Sequence, residues 1–307
     1  MSSKKNKFTK TDKLFMEIAL DLARSRQGLT GTNPSVGCVI VKNNNIISIG
    51  QTSYNGRPHA EFNAIKNCNE KLSGAKMYVT LEPCNHQGVT PPCTNEIIKS
   101  KFKRVIYSIN DIDKRTSNKA YSLLRSKKIK VSKGVLKSES KKIYRNYIQH
   151  KIYKKPFIAA KIACSSDFFI SSKNKFITNQ HSRDVSHILR YNFDSILISS
   201  KTANADKSKL SCRINGLKSF SPKRLIIDKN LKINKSSPVI NDKNRNNTII
   251  FHSTKDKKKL RYFKLKGIRL INTNLDSNNN IDLNKVFSKV YNMGIGSIII
   301  EGGKTLT

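Results

Sequence analysis

The sequence lacks long apolar runs, and this absence limits where the protein can reside. None of its 307 residues lies in a stretch that approaches roughly eighteen consecutive apolar residues, the length of a membrane-spanning helix. The start Met1-Ser2-Ser3-Lys4-Lys5 is followed by no apolar segment of the kind that a secretory signal peptide needs. The sequence therefore predicts a soluble, cytoplasmic protein with no membrane partner.

Cysteine and tryptophan are also scarce. Six cysteines in a chain of this length are too few for a disulfide scaffold, and without a secretion signal they are expected to be reduced. Clustered cysteines are then better interpreted as metal ligands than as bridges. Tryptophan is absent altogether, which argues against an aromatic groove for single-stranded nucleic acid.

Acidic residues are few: 20 stand against 59 basic residues, which gives a formal net charge of +39. Such a charge favours nucleic-acid binding, because lysine and arginine neutralise phosphates. However, the lysines are scattered along the chain and accompany abundant asparagine and isoleucine, as a codon-composition bias would produce. We therefore expect attraction of small phosphorylated molecules and no nucleic-acid partner.

Chain length and the order of the elements predict two α/β domains. A chain of 307 residues exceeds the usual size of one hydrophobic core. Helical and strand-like patterns alternate in both halves, which is typical of largely parallel sheets covered by helices. Pro156 begins a new strand after a helical stretch over 138–152, so the predicted domains are 1–152 and 153–307.

Two local patterns predict how the first domain begins. Thr11 or Asp12 is predicted to cap a helix, and Gly28 is predicted to end it. The asparagine run 43–45 joins two strand-like runs, which predicts a β-hairpin. This pair of strands can begin a sheet.

The most informative pattern is His59-Ala60-Glu61, followed by Pro83-Cys84 and then by Cys93. One imidazole and two thiolates suit zinc, and three protein ligands leave one coordination position for water, as in hydrolytic sites. His59 and Cys93 are each predicted to begin a helix, where the dipole favours a thiolate. A structural zinc site would normally need a fourth protein ligand.

Glu61 is expected to act as an acid/base group rather than as a ligand. On a helix, side chains two residues apart diverge by roughly 200 degrees, so His59 and Glu61 are not expected to share the metal. A carboxylate beside the water can take its proton and pass it to a departing amine. The pattern predicts hydrolytic deamination at an amidine-type ring carbon.

These residues resemble the cytidine-deaminase-like zinc deaminases and, within them, the bifunctional riboflavin-biosynthesis deaminase/reductases. Most members of the wider superfamily have two cysteines two residues apart, whereas the nine-residue gap here resembles the riboflavin branch. The resemblance covers nearly the whole chain. It implies a three-layer α/β/α deaminase domain followed by a dihydrofolate-reductase-like α/β domain.

For the first domain, the resemblance implies deamination of 2,5-diamino-6-ribosylamino-4(3H)-pyrimidinone 5′-phosphate. The implied zinc ligands are His59, Cys84 and Cys93, and Glu61 is the implied proton shuttle. The implied substrate contacts are Asn33 and His86.

Two departures from the family pattern concern the phosphate of this substrate. Val89 stands where members often carry a basic residue, and 111–115 replaces a usual Asp-Pro-Asn-Pro stretch. Lys114 or Arg115 is expected to supply the charge from another loop.

For the second domain, the resemblance implies an NADPH-dependent reductase that acts on the ribosyl side chain of 5-amino-6-(5-phosphoribosylamino)uracil. Positioning of the nicotinamide should dominate this reaction. The implied substrate-binding residues are Lys161, Asn174, Arg190, Leu210, Arg213 and Glu301. The implied cofactor-binding residues are Cys164, Phe176, Thr202, Asp206 and Gly303.

The second domain departs from the family pattern in two respects. The usual Ser-Leu-Asp-Gly turn is Ser165-Ser166-Asp167-Phe168 here, and phenylalanine is costly in place of glycine if the backbone needs a positive φ. The sequence also stops at Thr307, where family members continue. The domain is therefore expected to be C-terminally shortened, and the strand segment 298–300 to be exposed and prone to aggregation.

Three function classes stay open. The leading one is the bifunctional riboflavin-biosynthesis enzyme, expected as a homo-oligomer. The second is a deaminase alone, whose second domain is a non-catalytic oligomerisation or docking surface. The third is a nucleic-acid deaminase, which would need an open, basic, aromatic-lined groove for a flipped base.

Overall fold

The computed structural model describes residues 8–170, 177–302 and 306, and the chain divides into two compact units, Met1–Tyr153 and Lys154–Thr307. Each unit contains one β-sheet with helices packed against it. Among the described residues, none of the helices combines the length and the apolar composition that a bilayer span requires. The predicted α/β fold with two domains is confirmed.

The first unit has a five-stranded sheet in the order β2-β1-β3-β4-β5. Its strands are β1 (Gly37–Lys42), β2 (Asn45–Gln51), β3 (Lys76–Leu81), β4 (Arg104–Ile109) and β5 (Lys130–Lys133). Its described helices are α1 (Lys10–Arg24), α2 (Ala60–Lys66), α3 (Cys93–Lys99), α4 (Lys119–Ser126), α5 (Lys137–Ile143) and α6 (Arg145–Tyr153). Strand β1 is antiparallel to β2 and β3, whereas β3, β4 and β5 run parallel.

Helices cover both faces of the first sheet. On one face, α1 and α5 bury apolar side chains such as Met16 and Ile143 against the strands. On the other face, α2, α3 and α4 bury Ala64, Ile97 and Leu124. The predicted three-layer α/β/α arrangement of the first domain is therefore confirmed.

The first helix begins and ends earlier than predicted. Thr9 is its N-cap, because Thr9 Oγ1 accepts the Asp12 N–H at 3.0 Å while the Asp12 carboxylate accepts the Thr9 N–H at 3.3 Å. In this reciprocal capping box Asp12 is the third helical residue rather than the cap, so the predicted cap is wrong. The helix ends at Arg24, and Gly28 lies in the following turn with φ +78°.

The predicted hairpin is confirmed. Lys42 of β1 pairs with Asn45 of β2, which leaves a two-residue loop of Asn43 and Asn44. Both loop residues have positive φ, at 50° and 62°. Two-residue hairpin turns of this kind favour asparagine because it tolerates left-handed backbone.

The second unit has a six-stranded parallel sheet in the order β10-β9-β8-β7-β11-β6. Its strands are β6 (Phe157–Ala160), β7 (Ser195–Ser199), β8 (Lys223–Ile227), β9 (Thr248–His252), β10 (Arg269–Asn272) and β11 (Ser297–Ile300). Its described helices are α7 (Gln180–Tyr191), α8 (Ser200–Asp206), α9 (Pro238–Asn241), α10 (Lys257–Leu265) and α11 (Leu283–Asn292).

Strand β11 is not exposed, so the prediction for this segment is wrong. It lies between β7 and β6, and all of its residues are buried. Helix α11 packs Val286 and Val290 against Ile298 and Ile300, while Ile299 belongs to the core on the opposite face. The two edge strands are β10 and the half-exposed β6, because the order of the strands in the sheet does not follow their order in the chain.

The turn at Phe168 carries the backbone strain that its sequence predicts. Phe168 has φ +64°, its N–H donates to the Ser165 carbonyl at 3.0 Å, and its side chain is 83% exposed. We expect Phe168→Gly to raise the free energy of unfolding by roughly 0.5–1 kcal/mol, because relief of left-handed strain exceeds the entropy that glycine adds to the unfolded chain. Urea unfolding measures the change.

The neighbouring exposed aromatic residue, Phe169, provides the control for this prediction. Its φ is not positive, so Phe169→Gly relieves no left-handed strain and should destabilise the protein slightly. An equal gain in both variants would contradict the role of strain at Phe168.

Candidate metal centre and active site

Three side chains predicted as metal ligands come together in the first unit. The ligand atoms of His59, Cys84 and Cys93 all lie within 4.8 Å of one another. His59 Nδ1 is 3.5 Å from Cys84 Sγ and 3.3 Å from Cys93 Sγ. A tetrahedral zinc ion, with Zn–S of about 2.3 Å and Zn–N of about 2.0 Å, holds such atoms about 3.6 Å apart. These residues therefore fit a zinc ion.

Each ligand lies at the end of a regular element. His59 is the N-cap of α2, Cys84 follows β3, and Cys93 is the first residue of α3. The Cys93 backbone N–H donates to Cys84 Sγ at 3.3 Å, and the Thr94 N–H donates to the Cys84 carbonyl at 3.1 Å. These bonds orient Cys84, as hydrogen bonds around metal ligands commonly do.

Hydrogen bonding favours the thiolate form of Cys84. The Cys93 thiol, with further contributions from His59 and the Cys93 backbone N–H, lowers the pKa of Cys84 to about 4 against the opposing effect of burial. The pKa of Cys93 is raised, because its thiol is hydrogen-bonded to Cys84 and is buried.

Glu61 lies next to the three ligands without being one of them. His59 is extended, with φ −72° and ψ 161°, so the predicted helical divergence of these two side chains does not apply. Glu61 is only 4% exposed. Burial raises its pKa to about 7, against the attraction of His59. A carboxyl group that titrates near neutrality can both accept and release a proton.

His59, Glu61 and Cys84 line a cleft. Its volume is roughly 600 Å³, counting the part that is open to solvent. Asn33 and His86, predicted to contact the substrate, also line it. Sequence reasoning missed several further lining residues, namely Gly56, Arg57, Glu82, Asp111, Asp113, Tyr147 and Lys151. They form no local motif, and only the position of Glu82 directly after a buried strand could have indicated one of them.

Glu82 positions the loop that forms one side of the cleft. Its buried carboxylate accepts backbone N–H groups of Asp111 at 3.2 Å, Asn118 at 3.0 Å and Ala120 at 3.2 Å. Bonds to backbone donors on both sides of a loop restrain its path. This loop is the one that departs from the family pattern, and Glu82 gives it a defined conformation.

Of the two residues expected to supply positive charge from that loop, Arg115 lines the cleft. Its Nε and Nη2 donate to the Asp113 carboxylate at 3.0 and 2.6 Å, and Lys151 Nζ lies 3.5 Å from the same carboxylate. The hydrogen bonds from Arg115 hold the pKa of Asp113 well below its usual range. Both cations are therefore paired with an ionised carboxylate.

Gly56 allows Asn33 to lie in the cleft. Gly56 has φ +88°, and a Cβ at this position would lie 2.3 Å from Asn33 Nδ2. We expect Gly56→Ala to lower the free energy of unfolding by roughly 2–4 kcal/mol, because left-handed strain and a clash add together. Chemical unfolding measures this cost.

Gly74 is the matched control: it has φ +82°, but beyond its chain neighbours no atom of the described residues lies within 4 Å of the position of a Cβ. Gly74→Ala should cost only roughly 1–2 kcal/mol, from strain alone. Equal costs at the two glycines would show that the contact with Asn33 is unimportant.

In the second unit, three predicted site residues lie where parallel strands end. Lys161 follows β6, Glu301 follows β11, and Thr202 lies in α8 directly after β7. Because these strands are adjacent and parallel, their carboxyl ends share one edge of the sheet. The carboxyl ends of the strands are the usual place for a dinucleotide in an open parallel sheet, so these residues lie where such a cofactor is expected.

Arg190 and Glu301, both predicted to bind substrate, contact each other. Arg190 Nε and Nη2 donate to the Glu301 carboxylate at 2.8 and 2.7 Å, and Nη1 donates to the Ser211 carbonyl at 3.3 Å. Arg213 is exposed. The pKa of His187 is lowered by burial and, in addition, by the positive charges of Arg190 and Arg213. Arg190 is therefore paired, and Arg213 is the more accessible cation.

The remaining predicted residues of this unit differ in their surroundings. The side chain of Leu210 is buried in the core, Cys164 is exposed, and Asp206 ends α8, where burial raises its pKa. Three predicted residues lie outside the described part of the chain, namely Asn174, Phe176 and Gly303.

Both units match known families. Residues 9–109 match the family model of the cytidine and deoxycytidylate deaminase zinc-binding region, and residues 156–307 match that of the RibD C-terminal domain. The riboflavin biosynthesis protein RibD of Aquifex aeolicus is 34% identical over 300 residues, which cover 96% of this chain and 82% of that protein. RibD of Actinobacillus pleuropneumoniae is 33% identical over 304 residues, covering 97% and 79%.

Solved structures agree with these matches. A diaminohydroxyphosphoribosylaminopyrimidine deaminase/5-amino-6-(5-phosphoribosylamino)uracil reductase from Thermotoga maritima has a TM-score of 0.82 and 30% identity, covering 95% of this chain and 81% of its own. Acinetobacter baumannii RibD has a TM-score of 0.83 and 26% identity, covering 97% and 82%. With both domains matched in the same order, the chain belongs to the RibD family of bifunctional riboflavin-biosynthesis enzymes, which join a zinc-binding deaminase domain to an NADPH-dependent reductase domain.

Proposed function

We propose that the first unit hydrolytically deaminates 2,5-diamino-6-ribosylamino-4(3H)-pyrimidinone 5′-phosphate. The observation that carries this proposal is the set of His59, Cys84 and Cys93 within 4.8 Å of one another, next to the buried Glu61. The name of the Thermotoga maritima relative supports the choice of a diaminopyrimidine with a phosphoribosylamino group. The size of the cleft suits a small molecule of this kind better than a nucleic acid.

His59, Cys84 and Cys93 would hold the zinc ion, which when bound supplies a Lewis acid that lowers the pKa of water. We assign the proton transfer to Glu61, whose carboxylate takes a proton from the attacking water and, as the resulting carboxylic acid, delivers it to the leaving amine. Water adds to the ring carbon, the bond from carbon to the amino nitrogen breaks, and ammonia leaves as the carbonyl forms. The Asn33 amide, which both donates and accepts, suits the edge of the pyrimidine.

We infer that the second unit reduces the deaminated product with NADPH. The position of Lys161, Thr202 and Glu301 after adjacent parallel strands supports this inference, since open parallel sheets bind dinucleotides at the carboxyl ends of their strands. NADPH supplies the hydride, so this chain has to bind and orient the two partners. The exposed Arg213 suits the phosphate of the substrate, because a guanidinium binds oxyanions bidentately.

A mass-spectrometric assay tests both activities. The purified, zinc-loaded protein is incubated with the diaminopyrimidine phosphate, with and without NADPH. We expect replacement of one amino group by oxygen and release of ammonia in both samples, and a further gain of two hydrogens only with NADPH. Absence of ammonia release would contradict the proposed deaminase. Ammonia release without hydrogen gain would limit the activity to the first unit.

We also propose that the enzyme works in the cytoplasm as a homo-oligomer. The RibD homologues support an enzyme that acts on small phosphorylated molecules. Sedimentation of the purified protein over a range of concentrations tests its assembly. A single species with the mass of one chain, 34.8 kDa, would contradict this proposal.

A further inference from the structure

We propose that Arg57 binds the phosphate of the deaminase substrate, a specificity role that rests on the proposed function of the first unit. Val89 stands in the neighbouring loop where family members often carry a basic residue; it is apolar and 86% exposed, so it cannot bind an anion. Arg57 lines the same cleft as Glu61 and Cys84. It is a residue that the predicted motif did not include.

The contacts of Arg57 direct its guanidinium toward the Val89 loop, which is the segment Gly88-Val89-Thr90. Nη1 donates to Thr90 Oγ1 at 2.8 Å, which holds the side chain beside the residue that follows Val89. Nη2 lies 3.6 Å from the position that a Cβ on Gly88 would occupy. The charge of Arg57 therefore lies next to the loop where the basic residue is missing.

The second neighbour of Arg57 leaves its donors available. Nη1 lies 3.2 Å from His59 Nε2. When Nδ1 of a neutral imidazole serves as a metal ligand, Nε2 carries the ring proton and cannot accept a hydrogen bond. Arg57 then keeps the Thr90 hydroxyl as its acceptor, and among the described residues its other N–H groups have no acceptor, so they are available for an anion. A planar guanidinium with free donors is well suited to phosphate.

The other cations of the cleft are less suitable. Arg115 and Lys151 both contact the Asp113 carboxylate, so a phosphate at that end would have to approach an ionised acid. Within the described residues, no ion pair joins Arg57 to a carboxylate. The electrostatic field therefore favours a phosphate at Arg57 over one at Arg115.

Steady-state kinetics with two substrates tests the proposal: the diaminopyrimidine phosphate and its dephosphorylated counterpart. Turnover of the phosphate by the unmodified enzyme is measured first, and its absence would refute the proposed function itself. If turnover is present, Arg57→Ala should raise the KM for the phosphate about 10- to 150-fold, the range for hydrogen bonds to charged groups. The KM ratio of the two substrates should fall to near one.

Two further variants separate phosphate binding from a structural role. Adding Val89→Lys to Arg57→Ala should restore most of the KM preference for the phosphate, because a cation returns to the same loop. Arg115→Ala should leave the KM ratio largely unchanged. A loss of preference in Arg115→Ala but not in Arg57→Ala would overturn the proposal.

Two measurements that do not depend on turnover complete the test. Elemental analysis should find equal zinc in the unmodified protein and in Arg57→Ala. Titration calorimetry with ribose 5-phosphate should show weaker binding to Arg57→Ala and recovery in the double variant. Loss of zinc together with an equal rise in KM for both substrates would assign Arg57 to the support of His59 and overturn its role in phosphate binding.

Discussion

Replacing Glu61 with glutamine should lower the kcat of deamination by roughly 10²- to 10⁴-fold, the range expected for loss of a general acid/base. Glutamine keeps the size of the side chain but cannot carry the proton from water to the leaving amine. The carboxyl group is buried next to the three ligands and lines the cleft, where it is placed to exchange a proton with the attacking water. Ammonia release under saturating substrate measures the loss.

Metal content distinguishes this role from that of a ligand. Because Glu61 is not among the three clustered ligands, Glu61→Gln should retain stoichiometric zinc by elemental analysis. Glu17→Gln, on the exposed face of α1, is the matched control and should turn over normally. Normal turnover in Glu61→Gln, or a loss of zinc equal to the loss of rate, would show that the assignment is wrong.

Replacing Cys84 with serine should remove both the zinc and the deaminase activity. Cys84 Sγ lies 3.5 Å from His59 Nδ1 and accepts the Cys93 N–H, so serine loses a soft ligand at the centre of a hydrogen-bonded set. Removing a residue that only hydrogen-bonds to a metal ligand typically lowers metal affinity roughly 10- to 100-fold. Removing the ligand Cys84 itself should lower it further. Elemental analysis after dialysis measures it.

The second unit provides an internal control for the Cys84 variant. NADPH oxidation with the deaminated product should be unaffected, because Cys84 belongs to the first compact unit. Cys68→Ser changes a half-buried cysteine outside the ligand set and should retain zinc. Stoichiometric zinc in Cys84→Ser would contradict the assignment of this ligand.

The metal centre could be predicted from the sequence because its ligands and its acid/base group lie in short sequence motifs. His59 with Glu61, and Cys84 with Cys93, are close in the chain, and strand and helix signals on either side predict where each pair lies. The hairpin at Asn43 was predictable for the same reason. The capping preference of single residues was less reliable at the start of the first helix. There Thr9 and Asp12 form two reciprocal hydrogen bonds, and these bonds identify Thr9 as the N-cap.

The remainder depends on contacts between distant residues, which periodicity does not record. The pairing of Arg57 with Thr90, and that of Arg190 with Glu301 across 111 positions, arises only when separate elements meet. Several cleft residues are polar side chains on irregular backbone, and such residues have no pattern that separates them from ordinary surface. The position of β11 inside its sheet likewise follows from strand order, which the alternation of elements leaves undetermined.

That strand order has a consequence for how the second unit folds during translation. Strand β6 is the first strand of this unit to be synthesised, but it pairs with β11, which is synthesised after β7, β8, β9 and β10. Strand β6 therefore cannot form its native pairing until nearly the whole unit has been made. In the first unit, most neighbouring strands are also neighbours in the chain. Since contacts between distant segments slow folding, the deaminase half should reach its native state while the ribosome is still extending the other half.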